Sequence, residues 1–574
     1  MGRIHVLSKR LKSQMNQRQE RLIKPQHIAT PWLRWLLHRP RLTIESLVLC
    51  LSLYFALVCN SSFLSATTAN RDWADPQTWL FATALVLSLI AVHAMILGVV
   101  LSRWTARPIL SLLVIATGFA TFYMQRYGVY FDPSMLRNVI RTDLTEASEL
   151  ISWSMLAHVL AYSVVPVWWI WRVRIDHRPI VLTLVRRFIF VGCAVVLSVV
   201  AILAMFQDFS ALMRNQKELR YLITPANLVY STARVLSADT QAVARARTSV
   251  GLDAKMAASW AGKKPALVIL VVGETLRAAS WGMNGYERQT APNMQALGAL
   301  NFSNVTACGT NTETSLPCMF SAVGRRDYDE SRIRSSESLL HVLSRAGFSV
   351  HWRDNQSGCK GVCDGLDEQR VDTATSPQLC SDGRCLDEVL LKDLESLTGN
   401  AQGSVVVVLH MLGNHGPAYY KRYPDSFKRF EPTCDTAELR KCDRESIVNA
   451  YDNAVLYTDH VLSQTVRFLK SQDNQFDTAM LYVSDHGESL GEKGLFLHGL
   501  PRAIAPSEQT QVPMVWWLSE GFTQSMGLKR DCLYETSTDA LSHDNLFHSV
   551  LGMLQVTTNA YEPKLDITAG CRAQ

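Results

Sequence analysis

The run PALVILVVGET occupies residues 265–275, and six of the seven residues from Ala266 to Val272 are β-branched or leucine. Such a stretch suits a strand buried on both faces. Its polar end, Glu274, then falls just past the strand's carboxyl terminus. The pattern recurs in GFSVHWRDNQ (347–356), GSVVVVLHMLGNHG (403–416), TAMLYVSDHGE (478–488) and VPMVWWLS (512–519), each a short apolar run closing on polar residues. Helical stretches such as ESLLHVLSRAG and NAVLYTDHVLSQTVRFLK lie between them. This alternation predicts an α/β domain with a doubly wound, largely parallel sheet covered by helices on both faces.

Upstream the composition changes. Apolar runs near 44–64, 79–101, 108–124, 151–171 and 188–206 each approach the ~20 residues that a helix needs to cross a bilayer. Five of them predict an α-helical membrane domain with five transmembrane helices. The segment before Leu42 holds ten Lys and Arg against Glu20 alone, and further basic residues mark Arg103, Arg107 and the stretch Arg172 to Arg187. The positive-inside bias places the N-terminus in the cytoplasm and, after five crossings, the C-terminal portion outside. The expected layout is a basic cytoplasmic tail (1–42), the membrane domain (43–206), a connector along the membrane surface (207–264) and an outer domain (265–574). The connector reads as mostly helical, with one run from Ala233 to Ala261. A long tail and four further apolar segments argue against a cleaved signal peptide. The tail's +9 exceeds the whole chain's +6, so the basic balance reflects topology and anionic lipid, and gives no support for nucleic acid.

Of thirteen cysteines, Cys50, Cys59 and Cys193 fall in the membrane runs. The other ten include four close pairs: Cys308 and Cys318, Cys359 and Cys363, Cys380 and Cys385, and Cys434 and Cys442. Cys532 and Cys571 are left as partners for each other. In an oxidising compartment disulfides are the preferred reading, with zinc the rival for GCKGVCD.

Chemistry-bearing residues gather at the strand ends: Glu274, then Asn414 and His415, then Asp485, His486 and Glu488, followed by His498 in GLFLHGLP. Sites in open α/β sheets lie beyond the carboxyl ends of strands. Carboxylates and imidazoles converging there suit zinc, or manganese as the harder alternative. In ACGTNTETSLPCMF (307–320), Thr312 reads as the start of a helix whose first turn tolerates Pro317. A hydroxyl there lies where free N–H groups favour phosphate, and a metal can activate it as a nucleophile. The rival reading makes Thr310, Thr312 and Thr314 capping residues in a surface loop. Asn138, Thr142 and Glu146 recur every four residues in FDPSMLRNVIRTDLTEASEL (131–150), so on one helix they would share a face. From the bare residues that face is an ordinary solvated one.

VVGET, CGTNTETSLPCMFS, NHGPAYYKRYP and SDHGESLGEKGLFLHGLP resemble the motifs of the phosphoethanolamine transferases of the alkaline phosphatase/sulfatase superfamily. Among these the chain is most similar to the lipid A enzymes, which include the mobile colistin-resistance proteins. The resemblance implies a periplasmic catalytic domain on the bacterial inner membrane. It implies a zinc held by Glu274, Thr312, Asp485 and His486, with room for a second. Thr312 would take phosphoethanolamine from phosphatidylethanolamine, release diacylglycerol and pass the group to a lipid A phosphate, lowering envelope charge and conferring polymyxin resistance. Lys360, His415 and His498 would bind the phosphoryl group, move protons or hold the second zinc. Asn138, Thr142 and Glu146 would meet the donor's ethanolamine headgroup. The enzyme is expected to act as a monomer in contact with membrane lipids. The 308–318 staple would keep Thr312 aimed at the metal.

Three rival readings remain. A sulfatase would need a Cys or Ser within a CxPSR-like motif, which LPCMFSAV lacks. A phosphoglycerol transferase would share the threonine and metal but not the cysteine density. A silent sensor would not keep a competent residue at every ligand position. The lipopolysaccharide core or another periplasmic acceptor fits the same chemistry as lipid A.

Overall fold

The computed structural model describes residues 39–142, 144–176, 178–243, 247–372, 375–381, 383–399 and 403–572, apart from the side chains of 144–146, 238, 239 and 241–243. The basic tail thus lies almost wholly outside the described residues. The membrane domain starts with α1 (Ile44–Tyr54), which passes through a π-helical turn at Phe55–Cys59 into α2 (Ser61–Thr68). Then come α3 (Pro76–Val100), α4 (Ala106–Tyr127), the short α5 (Pro133–Arg141) and α6 (Leu144–Leu150), α7 (Trp153–Arg172) and α8 (Ile180–Ala204). Helices α3, α4, α7 and α8 are each long and apolar enough to cross a membrane, and the α1–α2 pair, bent by 55°, makes a fifth if it counts as one span.

The run 44–64, expected as one straight span, breaks at Asn60. Its buried side chain donates to the carbonyls of Phe55 (2.9 Å) and Thr224 (2.7 Å) and accepts from the Thr224 N–H (3.0 Å). An asparagine that trades helix bonds for a partner outside the helix ends it there. Helix α8 begins at Ile180 instead of 188, so Arg186 and Arg187, expected in a loop, ride on its first turns. Their long side chains can reach the polar boundary from that position. In the connector, α9 (Phe206–Asn215) and α10 (Ala226–Val243) form, but the chain is no longer helical where it is next described, from residue 247 on, so the helix expected to reach Ala261 does not. Lys255–Met256 pairs instead as a strand with Val556–Thr557 and so joins the C-terminal domain.

That domain is built on an eight-stranded sheet. Its strands are β1 (Ala266–Gly273), β2 (Leu300–Thr306), β3 (Ser349–Asp354), β4 (Asp367–Arg370), β5 (Val405–His410), β6 (Asp477–Ser484), β7 (Gln511–Leu518) and β8 (Leu541–Ser542), in the order β8-β2-β7-β6-β1-β5-β3-β4. Five of the seven neighbour pairs are parallel; β7 alone runs against both of its neighbours, β6 and β2. Every residue of β1 is buried, as its composition requires. Val268, Leu270 and Val272 enter one apolar core and Leu267, Ile269 and Val271 the other. Full burial of each such side chain stabilises the fold by about 1.5–3 kcal/mol. Helices α11 (Thr312–Met319), α12 (Glu330–Arg334), α13 (Arg444–Ser471) and α14 (Asp544–Met553) complete the parts used below.

Two reversals cancel at β7, so β2 runs in the same direction as β6, β1, β5 and β3. Their carboxyl ends share one edge of the sheet, and β6 sits beside β1 with Ser484 opposite Gly273.

Five disulfides tie the surrounding loops. Cys308 is bonded to Cys318 and Cys359 to Cys363, both beside the strand ends that carry the candidate site. Cys380 is bonded to Cys385 across a two-stranded hairpin in which the two residues face each other. Cys434 is bonded to Cys442 in the loop that leads into α13, and Cys532 to Cys571 near the C-terminus. The pairing of Cys359 with Cys363 removes the zinc reading of GCKGVCD. Cys50, Cys59 and Cys193 remain free thiols on the membrane helices.

Candidate active site

Glu274 leaves β1 and Asp485 and His486 leave β6, all three fully buried. The register above sets these ends side by side, and their ligand atoms lie within 4.8 Å of one another. The loop after β5 closes over them. Gly413 has φ +54°, and a side chain there would strike the Glu274 backbone at 2.7 Å. Glycine therefore lets Asn414 N–H bond the Glu274 carbonyl at 3.0 Å. On the other side, β2 leads into the stapled loop and α11. Asn311 caps this helix by accepting from Thr314 N–H, and Thr312 is its first residue. The Thr312 hydroxyl, 4% exposed, donates to Glu274 Oε2 at 2.9 Å and lies 3.4 Å from His486 Nε2.

Pro317, expected in the first turn, sits sixth of eight residues. Its missing N–H would have paired with the Glu313 carbonyl. That carbonyl is instead taken by Arg334 Nη2 of α12 at 2.5 Å, so the helix survives the proline.

The cluster suits a divalent cation on its own chemistry. Glu274 Oε1 and Asp485 Oδ2 are buried with no hydrogen-bond partner, and both face His486 Nε2, at 3.4 and 3.3 Å. His486 Nδ1 lies 3.0 Å from the Gly487 carbonyl, a contact that requires the proton on Nδ1 and turns the Nε2 lone pair toward the carboxylates. Burial would raise Glu274, but the positive charge of a protonated His486 beside it outweighs burial and holds the carboxyl below its ordinary value. Burial and the Glu274 charge push Asp485 above the usual carboxylate range. His486 is lifted to about 9, the carboxylates overcoming its own burial. The cluster thus draws positive charge, as protons or as a bound cation in their place.

Around it the remaining residues fall into place unevenly. Glu488 accepts from Tyr419 Oη at 2.5 Å and binds His498 Nδ1 at 2.7 Å, which fixes the tautomer of that ring. The His498 ring lies 4.4 Å from that of His486 and 5.6 Å from that of His415. Lys360 Nζ reaches Ser357 Oγ (2.6 Å) and Glu313 Oε1 (3.3 Å). Asn414 is no ligand: its side chain spans Tyr451 and Thr458 of α13. Thr310 donates to the Leu500 carbonyl, and Thr314 gives only its backbone N–H to the Asn311 cap, so neither is the capping residue of a surface loop that the rival reading expected.

Sequence reasoning missed several neighbours. Gln356 Nε2 lies 3.3 Å from Glu274 Oε2, and its place at the end of the 347–356 strand was the available signal. Glu313 and Ser357 flank motif residues without a motif of their own. His543, with no signal in LSHDNL, accepts from Cys308 N–H at 3.1 Å and donates to the Ser484 carbonyl at 2.9 Å, linking the stapled loop to the strand before Asp485.

The 131–150 segment differs from expectation. Helix α5 ends at Arg141 and Thr142 is extended, with its hydroxyl on the Asn138 carbonyl at 2.7 Å. Asn138, Thr142 and Glu146 therefore do not share one helical face, and the Glu146 side chain falls outside the described residues. The threonine's bond to the backbone competes with helix continuation. The segment still reaches helix α11, through Ser134 to Asn311 (3.2 Å) and Arg141 to Glu313 (3.1 Å).

A sheet of this topology with an acidic and imidazole cluster at its carboxyl edge defines the sulfatase class of fold, and residues 266–556 match the sulfatase family model. Residues 89–240 match the model described as phosphoethanolamine transferase EptA/EptB. The chain is 37% identical over 561 residues to phosphoethanolamine transferase EptA of Escherichia coli K12, covering 94% of this chain and 99% of that one. It is 35% identical over 525 residues to phosphatidylethanolamine transferase Mcr-1 of Escherichia coli, covering 88% and 95%. The fold matches the integral membrane lipooligosaccharide phosphoethanolamine transferase A of Neisseria meningitidis with a TM-score of 0.89 at 34% identity, covering 93% and 100%. The chain belongs to the EptA family of phosphoethanolamine transferases.

Proposed function

We propose that the protein moves phosphoethanolamine from phosphatidylethanolamine to the phosphates of lipid A, with Thr312 as the covalent carrier. The N-terminus would face the cytoplasm of a bacterial inner membrane and the C-terminal domain the periplasm. One observation carries this reading: a threonine hydroxyl at a helix start, 2.9 Å from a buried carboxylate, beside two carboxylate oxygens without partners. The names of the relatives support the donor and acceptor classes.

Glu274, Asp485, His486 and the Thr312 hydroxyl would hold a zinc ion, since two carboxylates, one imidazole and one hydroxyl fit it. When bound, the metal lowers the hydroxyl pKa and offsets charge on the phosphoryl oxygens. Glu274 orients the Thr312 hydroxyl and accepts its hydrogen bond. Thr312 Oγ forms a bond to the donor phosphorus, the bond to the glycerol oxygen breaks, and diacylglycerol leaves with a proton. His498, fixed by Glu488 and kept neutral by burial, would take up the Thr312 proton on its free Nε2 and pass it to the departing glycerol oxygen. Lys360 and His415 steady the phosphoryl oxygens.

Mass spectra of lipid A from a susceptible Gram-negative host test this directly. Wild type should add one phosphoethanolamine per modified phosphate and Thr312→Ala none. No adduct from a folded, membrane-inserted wild type would redirect the search to core sugars or other periplasmic phosphates.

A further inference from the structure

Beside the nucleophile helix a cleft of about 510 Å3 opens between the C-terminal domain and the membrane-side segment. Arg141, Arg334, Lys360, Arg247 and Arg370 line it, against three acids. Its inner end is organised by Glu313, the residue after Thr312. This carboxylate is 1% exposed and gathers Lys360 (3.3 Å), Arg141 (3.1 Å) and Arg334 (3.3 Å), which come from three separate segments. At the other end, Arg247 bonds the Gly361 carbonyl (2.5 Å) and Asp364 (3.0 Å) through Nη2, while its buried Nη1 has no hydrogen-bond partner.

A cleft in which five cationic side chains outnumber three acids favours anionic ligands, and guanidinium forks match phosphate oxygens. The cleft's volume falls within the ~300–1,000 Å3 typical of small-molecule sites, more than a lone phosphate needs. The chemistry calls for such a place, because the second half-reaction brings one phosphate against another already held on Thr312. We infer that this cleft is the acceptor subsite and takes a phosphate monoester carried on a sugar ring. The inference rests on the transfer reading above. An oxygen of the acceptor phosphate bonds to the phosphoethanolamine phosphorus and the bond from phosphorus to Thr312 Oγ breaks. Oγ then regains the proton that the monoester gives up. Arg334 and Lys360 hold the incoming phosphate near Thr312, and Arg247 and Arg370 hold the sugar's remaining polar groups.

The test uses the full-length enzyme in detergent micelles, with phosphatidylethanolamine bearing a fluorescent acyl chain as donor and purified lipid A as acceptor. Arg247→Gln and Arg370→Gln should leave first-turnover diacylglycerol release as in wild type. They should raise the KM for lipid A about tenfold, the loss expected for one charged hydrogen bond. Lipid A stripped of its phosphates should not compete. Unchanged KM values, or equal competition by the stripped lipid, would overturn the assignment. So would an equal loss of diacylglycerol release, which would make the cleft part of the donor site. A wild type that releases no diacylglycerol would instead overturn the transfer reading itself.

Discussion

His543 shows how much one side chain without a motif can hold together. Both ring nitrogens are used, one by the stapled loop and the other by the strand that delivers Asp485, and the ring is buried. Burial drives its pKa down to about 4. Between that value and about 6.5 the unfolded chain binds a proton that the folded chain refuses. Its contribution is therefore complete above pH ~6.5 and is lost as the pH falls toward 4, by up to about 3 kcal/mol. Thermal unfolding of the full chain between pH 7 and 4.5 should show this decline, and His543→Gln should flatten it. An equally steep decline in the variant would assign the effect elsewhere.

At the level of elements, the stapled loop, α11 and α12 act as one unit. The Cys308–Cys318 bond closes the loop, and Arg334 repairs the backbone at Pro317. Replacing both cysteines with alanine should cost about 2–4 kcal/mol of stability. Activity should fall further than the loss of folded protein explains, because Thr312 loses its fixed approach to Glu274. Activity that tracks the folded fraction would make the staple purely structural. Much of this was legible in the sequence. Apolar runs ending in Glu274, His415 and Asp485–His486 announced both the strands and the site, because a doubly buried strand has little other use for terminal acids and histidines. Spacing misled at two places. The four-residue repeat of Asn138, Thr142 and Glu146 implied one helix, but Thr142 turns the chain. The run 44–64 read as one span although it holds Asn60, whose role in the kink depends on a partner, Thr224, far along the chain. β7 is as apolar as the mutually parallel strands β1, β5 and β6, so periodicity carried no sign of its direction.

On the scale of the whole molecule, α5 and α6 grip the C-terminal domain on both sides of the site. Arg137 pairs with Glu330 and Arg141 with Glu313 on one side. On the other, Glu149 pairs with Arg422 and Arg384. The second of these partners, Arg384, lies next to Cys385, so the Cys380–Cys385 bond steadies one arm of the clasp. Arg422 is buried and also donates to the His415 carbonyl at 2.7 Å, so domain docking and the position of this histidine are mechanically joined. Glu149→Ala leaves that guanidinium buried without its main counter-charge, a change that costs about 3–5 kcal/mol in comparable settings. The expected result is a lower thermal midpoint for the full chain, protease sensitivity in residues 142–153 and 415–430, and slower transfer. A variant with wild-type midpoint and digestion pattern would show that the clasp is dispensable.

The covalent step on Thr312 is the claim on which the rest depends. The purified enzyme should be given phosphatidylethanolamine without any acceptor, quenched in acid and digested, and the peptide spanning 307–320 examined by mass spectrometry. A phosphoethanolamine increment on Thr312, lost when lipid A is added and absent from Glu274→Gln, is the predicted result. Diacylglycerol release with an unmodified peptide, or with the increment on another residue, would contradict it.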